Sequence, residues 1–402
     1  MGTIGTVQGL ADALLLLARH DFDVDLYVRG DGAFPSAEFG DERVRVTSRR
    51  PGIFSRGPAH PRWMRRGFRP YSWVVGHVYH PLWRSMVFRR ELRARHRDAP
   101  YRCVIALDSE ALVDCARYAD DLGVPVVFWS LELIFWSDIS SQAELRLKEQ
   151  EVRLSRQAAL VIVQDPWRGH ALAEENGLDP SRMLYVPNAP MGNARRHRGD
   201  YLRRTLRIPQ DRTIVLCSGT LEPWAGSLDL AKASREWPDR FFLVMLSRRS
   251  LKDQRSDYVA RVAENLRPGH AAIMSDPVPM SSLRTLVDSA DIGVALYEPQ
   301  VGGPHAPVDH NVELMGYASG KVASYLHCGL PVVTSDLPGL RDLVGSSGCG
   351  VCVQRADDVA NALAQIVDDY DRFVVRACNA FDEHLELGRH FTTVLARIAG
   401  LE

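Results

Sequence analysis

The segment Gly316-Tyr-Ala-Ser-Gly320-Lys321-Val-Ala-Ser-Tyr325-Leu-His-Cys-Gly329-Leu-Pro331-Val-Val-Thr-Ser-Asp336 holds the residue types best suited to gripping an anion. Ser319 and Gly320 are small and precede an amphipathic stretch that stops at Gly329. Backbone N–H groups at such a helix start are open to a negatively charged ligand. Lys321 adds a mobile cation beside them, and a charge-assisted hydrogen bond from it is worth on the order of 1.5–3 kcal/mol. The same residues also describe a capped helix with a surface lysine, and physics alone weighs the two readings equally. Lysine is scarce here, which sharpens the signal. Only Lys148, Lys232, Lys252 and Lys321 stand among the 49 basic residues, a bias that suggests a GC-rich coding genome.

The stretch from Glu298 to Glu313 also carries chemistry. Gly302 and Gly303 permit close backbone approach to a ligand. His305, Asp309, His310 and Glu313 have the atoms for a metal site, and a charged surface loop is the alternative. Arg248 and Arg249 follow an apolar run and either reach an anion or stand in solvent. Cys349 and Cys352 form a C-x-x-C, but no second cysteine pair accompanies it, so two small residues on a strand are expected. The seven cysteines are dispersed and odd in number, which fits a reducing cytoplasm better than a disulfide framework.

Residues 49–97 contain 13 arginines and one acid, Glu91, interleaved with Trp63, Phe68, Tyr71, Trp73, Tyr79, Trp83 and Phe88. Arginines with interfacial aromatics suit docking on anionic lipid or capture of a lipid-phosphate acceptor. A solvated helical face over an aromatic core is the alternative. Single-stranded nucleic acid would also fit such a stretch, but a net charge of −1 and the rest of the chain give it no support.

At 402 residues the chain calls for two domains or more. Apolar residues make up 46% and charged residues 25%, ordinary globular usage. No apolar run approaches the roughly 18–20 residues that span a bilayer, and no secretory signal is read at the start. The longest runs, such as Val124–Phe128 and Phe241–Leu246, have the length of buried strands. Strands and helices alternate through the first half, as in Tyr101–Leu107, Ala111–Leu122, Pro125–Trp129, Glu144–Ala158 and Leu160–Val163. The alternation breaks at Pro187-Asn-Ala-Pro190 and a polar, arginine-rich stretch, then restarts at Thr213–Ser218. Continuous apolar strands in alternation with helices predict doubly wound parallel sheets. Two such domains, 1–190 and 191–375, would face a cleft at the carboxyl ends of their strands, with a helix in 376–402 packing back on the first. The chain opens at a glycine turn followed at once by a helix, so the usual first strand is expected to be absent.

These segments together resemble the retaining GT-B glycosyltransferases of family 4 and its relatives. The lysine segment resembles their donor-site signature, where a lysine opens a helix that runs to aromatic-x-x-x-Gly-x-Pro-Val-Val. Cys217-Ser-Gly219-Thr220-Leu-Glu222-Pro-Trp-Ala-Gly226 resembles the first strand and glycine-rich loop of their second domain. Leu286–Leu296 resembles the helix and strand before the donor loop, and Leu184-Tyr-Val-Pro187-Asn188 the end of the first domain. Asp108 and Val127-Phe-Trp-Ser-Leu-Glu132-Leu resemble a subgroup with an aspartate and a His-Glu-Leu-like string. The resemblance spans about residues 8–395.

The resemblance implies sugar transfer from a nucleoside diphosphate, of UDP or GDP type, with retained configuration, no further cofactor and no metal. Lys321 and the loop carboxylate Glu313 would act at the transferred sugar and leaving phosphate. Gly219, Thr220, Glu222, Arg248, Gly302, Gly303, Ser319, Gly320 and Ser324 would hold the donor, and Asp108 and Glu132 would lie on the acceptor side. The acceptor would be a glycan, a lipid-linked molecule or a natural product, at the inner face of a membrane in the second case. The chain departs from the family at three places. Trp224 and Ala225 stand where a loop cation is common, Ser324 replaces a ribose-binding glutamate, and Leu131 stands where a histidine is common. Two rivals therefore remain open: a sugar-nucleotide epimerase of the same architecture, and a non-catalytic binding protein that has lost donor contacts.

Overall fold

The computed structural model describes residues 9–29, 40–49, 80–247, 256–274, 280–299 and 310–401. Its strands are β1 (Val24–Arg29), β2 (Val44–Arg49), β3 (Val104–Leu107), β4 (Val126–Trp129), β5 (Leu160–Val163) and β6 (Met183–Tyr185) in the first half. In the second half they are β7 (Thr213–Gly219), β8 (Phe241–Ser247), β9 (Ala271–Met274), β10 (Ile292–Ala295), β11 (Val332–Ser335) and β12 (Gly350–Val353). Every strand pairing among them is parallel.

The second half forms one six-stranded sheet in the order β12-β11-β10-β7-β8-β9. Its first strand is central and the order reverses beside it, which makes the β7/β10 boundary the switch point where open α/β sheets bind ligands. Both faces are covered. Ile214, Leu216, Val244 and Leu246 enter one apolar core, while Val215, Cys217, Leu243 and Met245 enter the other. That is why these strands read as unbroken apolar runs rather than alternating ones.

The first half contains the four-stranded sheet β3-β4-β5-β6 and the separate pair β1-β2. Val127, Trp129, Leu160 and Ile162 face one core, and Phe128, Val161 and Val163 the other. Residues 1–8, which contain the glycine turn read from the sequence, lie outside the described residues, as does the part of the basic aromatic stretch from 50 to 79. The part of that stretch that is described belongs to the helix His80–Asp98, where Arg89 and Arg93 pair with Asp121 and Arg95 pairs with Asp25.

The end of the chain is two helices rather than one. Tyr370–His384 contributes Ala377, Ala380 and Phe381 to the second-half core. Leu387–Ala399 then crosses over and buries Leu387, Phe391, Val394, Leu395 and Ile398 among first-half residues. The Phe391 ring lies 5.9 Å from that of Trp129. Apolar residues on one face of this amphipathic helix therefore close the core of the opposite domain. No helix among the described residues is long and apolar enough to cross a membrane.

Candidate active site

Of the residues expected to hold a donor, those in the described part of the chain gather around the carboxyl ends of β7, β10 and β11. Ser319 caps the helix Gly320–His327 by accepting the Val322 amide at 3.2 Å, the capping role that serine fills well. Its hydroxyl also bonds the Tyr297 hydroxyl, and the Tyr297 amide donates to Ser335 Oγ at 2.8 Å. Tyr325, four residues on from Lys321, crosses beneath β10 to meet the Ser218 amide at 2.7 Å. Only a glycine allows that crossing, because a Cβ on Gly293 would stand 2.3 Å from the Tyr325 ring. The helix that carries Lys321 is thus pinned to the end of β7, where Gly219 lies.

Gly219 adopts φ +127°, a conformation open to glycine alone in practice. The Lys321 side chain runs alongside it, with Cδ 3.8 Å from where a Gly219 Cβ would be. The Lys321 ammonium lies 4.5 Å from the Tyr297 ring centroid and 5.8 Å from that of Trp224. Those two rings are nearly parallel, 6.3 Å apart, so the cation sits beside an aromatic pair. The Trp224 carbonyl also accepts the Glu298 amide at 2.8 Å, joining the glycine-rich loop to the end of β10. Burial raises the pKa of Glu298, and Asp229 nearby adds to the effect.

Thr220 and Glu222 lie in the same loop, both half-buried. Ser324 is buried, and its hydroxyl donates to the Gly320 carbonyl at 2.9 Å. Gly302, Gly303, Arg248, Arg249, His305 and Asp309 lie outside the described residues. Glu313 is half-buried on the four-residue helix His310–Glu313 and takes no hydrogen bond among the described residues. No group of three or more potential ligands for a metal occurs among the described residues.

Across the domain boundary, Asp108 sits at the carboxyl end of β3 with φ +63°. Its Oδ1 accepts the amides of Leu131 at 2.7 Å and Glu132 at 3.0 Å. Burial pushes its carboxyl up to about 6 against the pull of those two amides, with Glu132 adding to the rise. Glu132 in turn accepts the Asn311 side-chain amide from the second half. A strained aspartate at a strand end, with one oxygen tied down and the other taking no hydrogen bond among the described residues, is the kind of backbone outlier that marks working sites.

Four residues here carry no motif, and sequence assigned a role at the site to none of them. Arg168 is buried at 1% exposure and donates to the Leu131 carbonyl at 2.8 Å and to Asn311 Oδ1 at 2.7 Å. Asp165 caps the helix Pro166–Asn176 and also accepts the Tyr317 amide at 3.3 Å. Beneath the segment that follows β4, Lys148 and Glu151 form a fully buried ion pair at 3.0 Å. Lys148 further bonds Asn176 and the Ile134 carbonyl, and Glu151 accepts the Ser109 hydroxyl.

Two parallel-sheet domains joined so that their strand ends face each other define the GT-B fold, and comparison with solved structures shows that fold over the whole chain. HepE (Alr3699) of Anabaena, solved with UDP and glucose, matches at TM-score 0.70 and 17% identity, covering 100% of this chain and 98% of its own. Sucrose-phosphate synthase of Thermosynechococcus elongatus matches at 0.65 and 16%, covering 97% and 90%. WaaG, a glycosyltransferase involved in lipopolysaccharide biosynthesis, matches at 0.62 and 12%, covering 99% and 97%. By sequence, residues 311–398 match the family model of the glucosyltransferase 3-like C-terminal domain. Among curated protein sequences none matches the chain.

Proposed function

We propose that this protein transfers a sugar from a nucleoside diphosphate donor to a hydroxylated acceptor with retention of configuration. The observation that carries the reading is the Lys321 ammonium. It is set against Tyr297 and Trp224, beside Gly219 and in the first turn of a capped helix at the switch point of the second sheet. Departure of the donor builds negative charge on the diphosphate, and a preorganised cation with helix amides stabilises that charge in the transition state. Gly219, Thr220 and Glu222 would line the donor beside it, with Ser319, Gly320 and Ser324 at the helix start. Loop residues Gly302 and Gly303 and the carboxylate Glu313 would approach the transferred sugar, and Arg248 would reach the phosphates from the end of β8.

On the acceptor side, Asp108 Oδ2 and Glu132 would orient the incoming hydroxyl. UDP is the first donor nucleotide to test, because HepE has been solved with UDP and with UDP-glucose; GDP is the second. We place the protein in the cytoplasm, requiring neither metal nor further cofactor, with residues 49–97 contacting an anionic membrane surface or a lipid-linked acceptor. The division 1–190, 191–375 and 376–402 goes with this reading.

Calorimetric titration with UDP, GDP, dTDP and ADP tests it, with Lys321→Ala as the control. Saturable binding of one nucleotide that weakens on substitution supports the donor site. Binding untouched by the substitution moves the site elsewhere. Absence of binding favours a GT-B protein without donor chemistry. Interconversion of a free nucleotide-sugar without any acceptor would favour the epimerase reading.

A further inference from the structure

Asn311 belongs to the second half of the chain, yet among the described residues its side-chain hydrogen bonds go to the first. Its Oδ1 accepts from Arg168 Nη2 at 2.7 Å and from the Leu133 amide at 3.2 Å, and its Nδ2 donates to Glu132 Oε2. Asp108 holds the same three-residue stretch from the other side through the amides of Leu131 and Glu132. Arg168 completes the arrangement by donating to the Leu131 carbonyl at 2.8 Å. The backbone of 131–133 is therefore clamped between the acceptor-side aspartate and one residue of the donor-side segment.

An asparagine suits this position because it offers an acceptor to two donors and a donor to a carboxylate at once. A carboxylate there would keep the first role and repel Glu132, and an alanine would lose both. The neighbouring His310 reinforces the placement, with Nδ1 2.6 Å from Asp138 Oδ1 and its ring 5.3 Å from that of Phe135.

We propose that Asn311 is a positioning residue that couples the donor-side helix His310–Glu313 to the two acceptor-side carboxylates. Where that helix sits determines how Glu132 points and how the 131–133 backbone holds Asp108. The use of the coupling, presenting the acceptor carboxylates when the donor segment is seated, rests on the glycosyl-transfer reading above. The coupling itself rests on geometry alone.

Hydrogen exchange on the full chain tests it without any known acceptor, comparing wild type, Asn311→Ala and Asn311→Asp, each with and without UDP. In Asn311→Ala, exchange over 131–135 should rise by roughly ten-fold or more as the Leu133 amide loses its acceptor, while β5 at 160–163 stays protected. Asn311→Asp should restore most of that protection, because it keeps the acceptor. Unchanged exchange at 131–135 in Asn311→Ala overturns the proposal. So does a uniform rise that includes β5, since that would mean a general loss of stability. Failure of UDP to alter exchange anywhere in wild type would sink the donor-site reading and leave the Asn311 result standing.

Discussion

The ammonium of Lys321 lies 4.5 Å from the centre of the Tyr297 ring, and the hydroxyl of that same tyrosine bonds Ser319, which caps the helix carrying the lysine. One side chain thus fixes both the cation and the helix start. Trp224, which stands where related sequences often place a basic residue, supplies a second aromatic face instead of a second charge.

That relationship predicts a graded response. Tyr297→Phe keeps the ring and should weaken nucleotide binding little. Tyr297→Leu removes the cation–π contact and should weaken binding by roughly 2- to 30-fold, from about 0.5–2 kcal/mol. Lys321→Ala should cost more, on the order of 1.5–3 kcal/mol. Titration calorimetry on the three variants reads the order, and equal losses for Phe and Leu would refute the ring's part in it.

Asp108 trades stability for an available carboxylate. Its carboxyl is raised by burial to about 6, so it favours the folded state most below the ordinary carboxyl range, and that contribution is lost as pH rises through 6. Asp108→Asn keeps an acceptor for Leu131 and Glu132 and tolerates the positive φ. The variant should be more stable than wild type at pH 8, by on the order of 1–3 kcal/mol, with the gain gone at pH 4 and turnover reduced. Thermal unfolding at the two pH values decides this. A destabilised variant at pH 8 would show that the carboxylate is structural.

Lys148 and Glu151 are both buried and bonded only within the protein. Removing the lysine leaves an uncompensated carboxylate, so Lys148→Met should cost about 3–5 kcal/mol, whereas changing both partners to apolar residues should cost much less. Urea unfolding of the single and double variants measures the difference. A double-variant loss equal to the sum of the two single losses would show that the pair acts independently.

His327 carries an acid-sensitive element. It stacks on Phe381 at 4.6 Å with Arg284 Nη1 3.2 Å from its Nε2, and burial followed by the arginine's charge lowers its pKa to about 4. The unfolded chain binds a proton there near pH 6.5 and the folded protein does not. Stability should therefore be whole above about pH 6.5 and decline toward pH 4, by up to about 3 kcal/mol from this group. His327→Gln should flatten that part of the stability–pH curve, and an unaltered slope would assign it elsewhere.

The parallel sheets were legible because buried strands carry unbroken apolar runs: all of β5, residues 214–217 in β7 and 241–246 in β8. Ser319, Gly320 and Lys321 were legible because a small-residue cap followed by a lysine is a local pattern, all within one turn. Asn311 and Arg168 were not, since their partners lie 143 and 179 residues away and neither type stands out in a polar stretch. Lys148 stood out only as one of four lysines, because periodicity does not reveal which charges are turned inward. The split of the last 30 residues at Leu385–Glu386 was hidden too, for both helices are amphipathic and neither glycine nor proline divides them.

The return of the last helix to the first domain has a mechanical consequence. The chain passes between the domains twice, at 190–194 and at 382–387, and the two passages are laced together. The Leu387 amide meets the Pro190 carbonyl at 3.4 Å, the Gly192 amide meets Glu386 at 2.8 Å, and the Ala194 amide meets Asp382 at 2.6 Å. A single tether permits swivel and twist, but two laced tethers act like the paired pins of a door, leaving one easy axis of rotation and resisting sideways slip. Any opening that admits a ligand would therefore swing Lys321 and Asp108 apart along one arc and return them to the same register on closing.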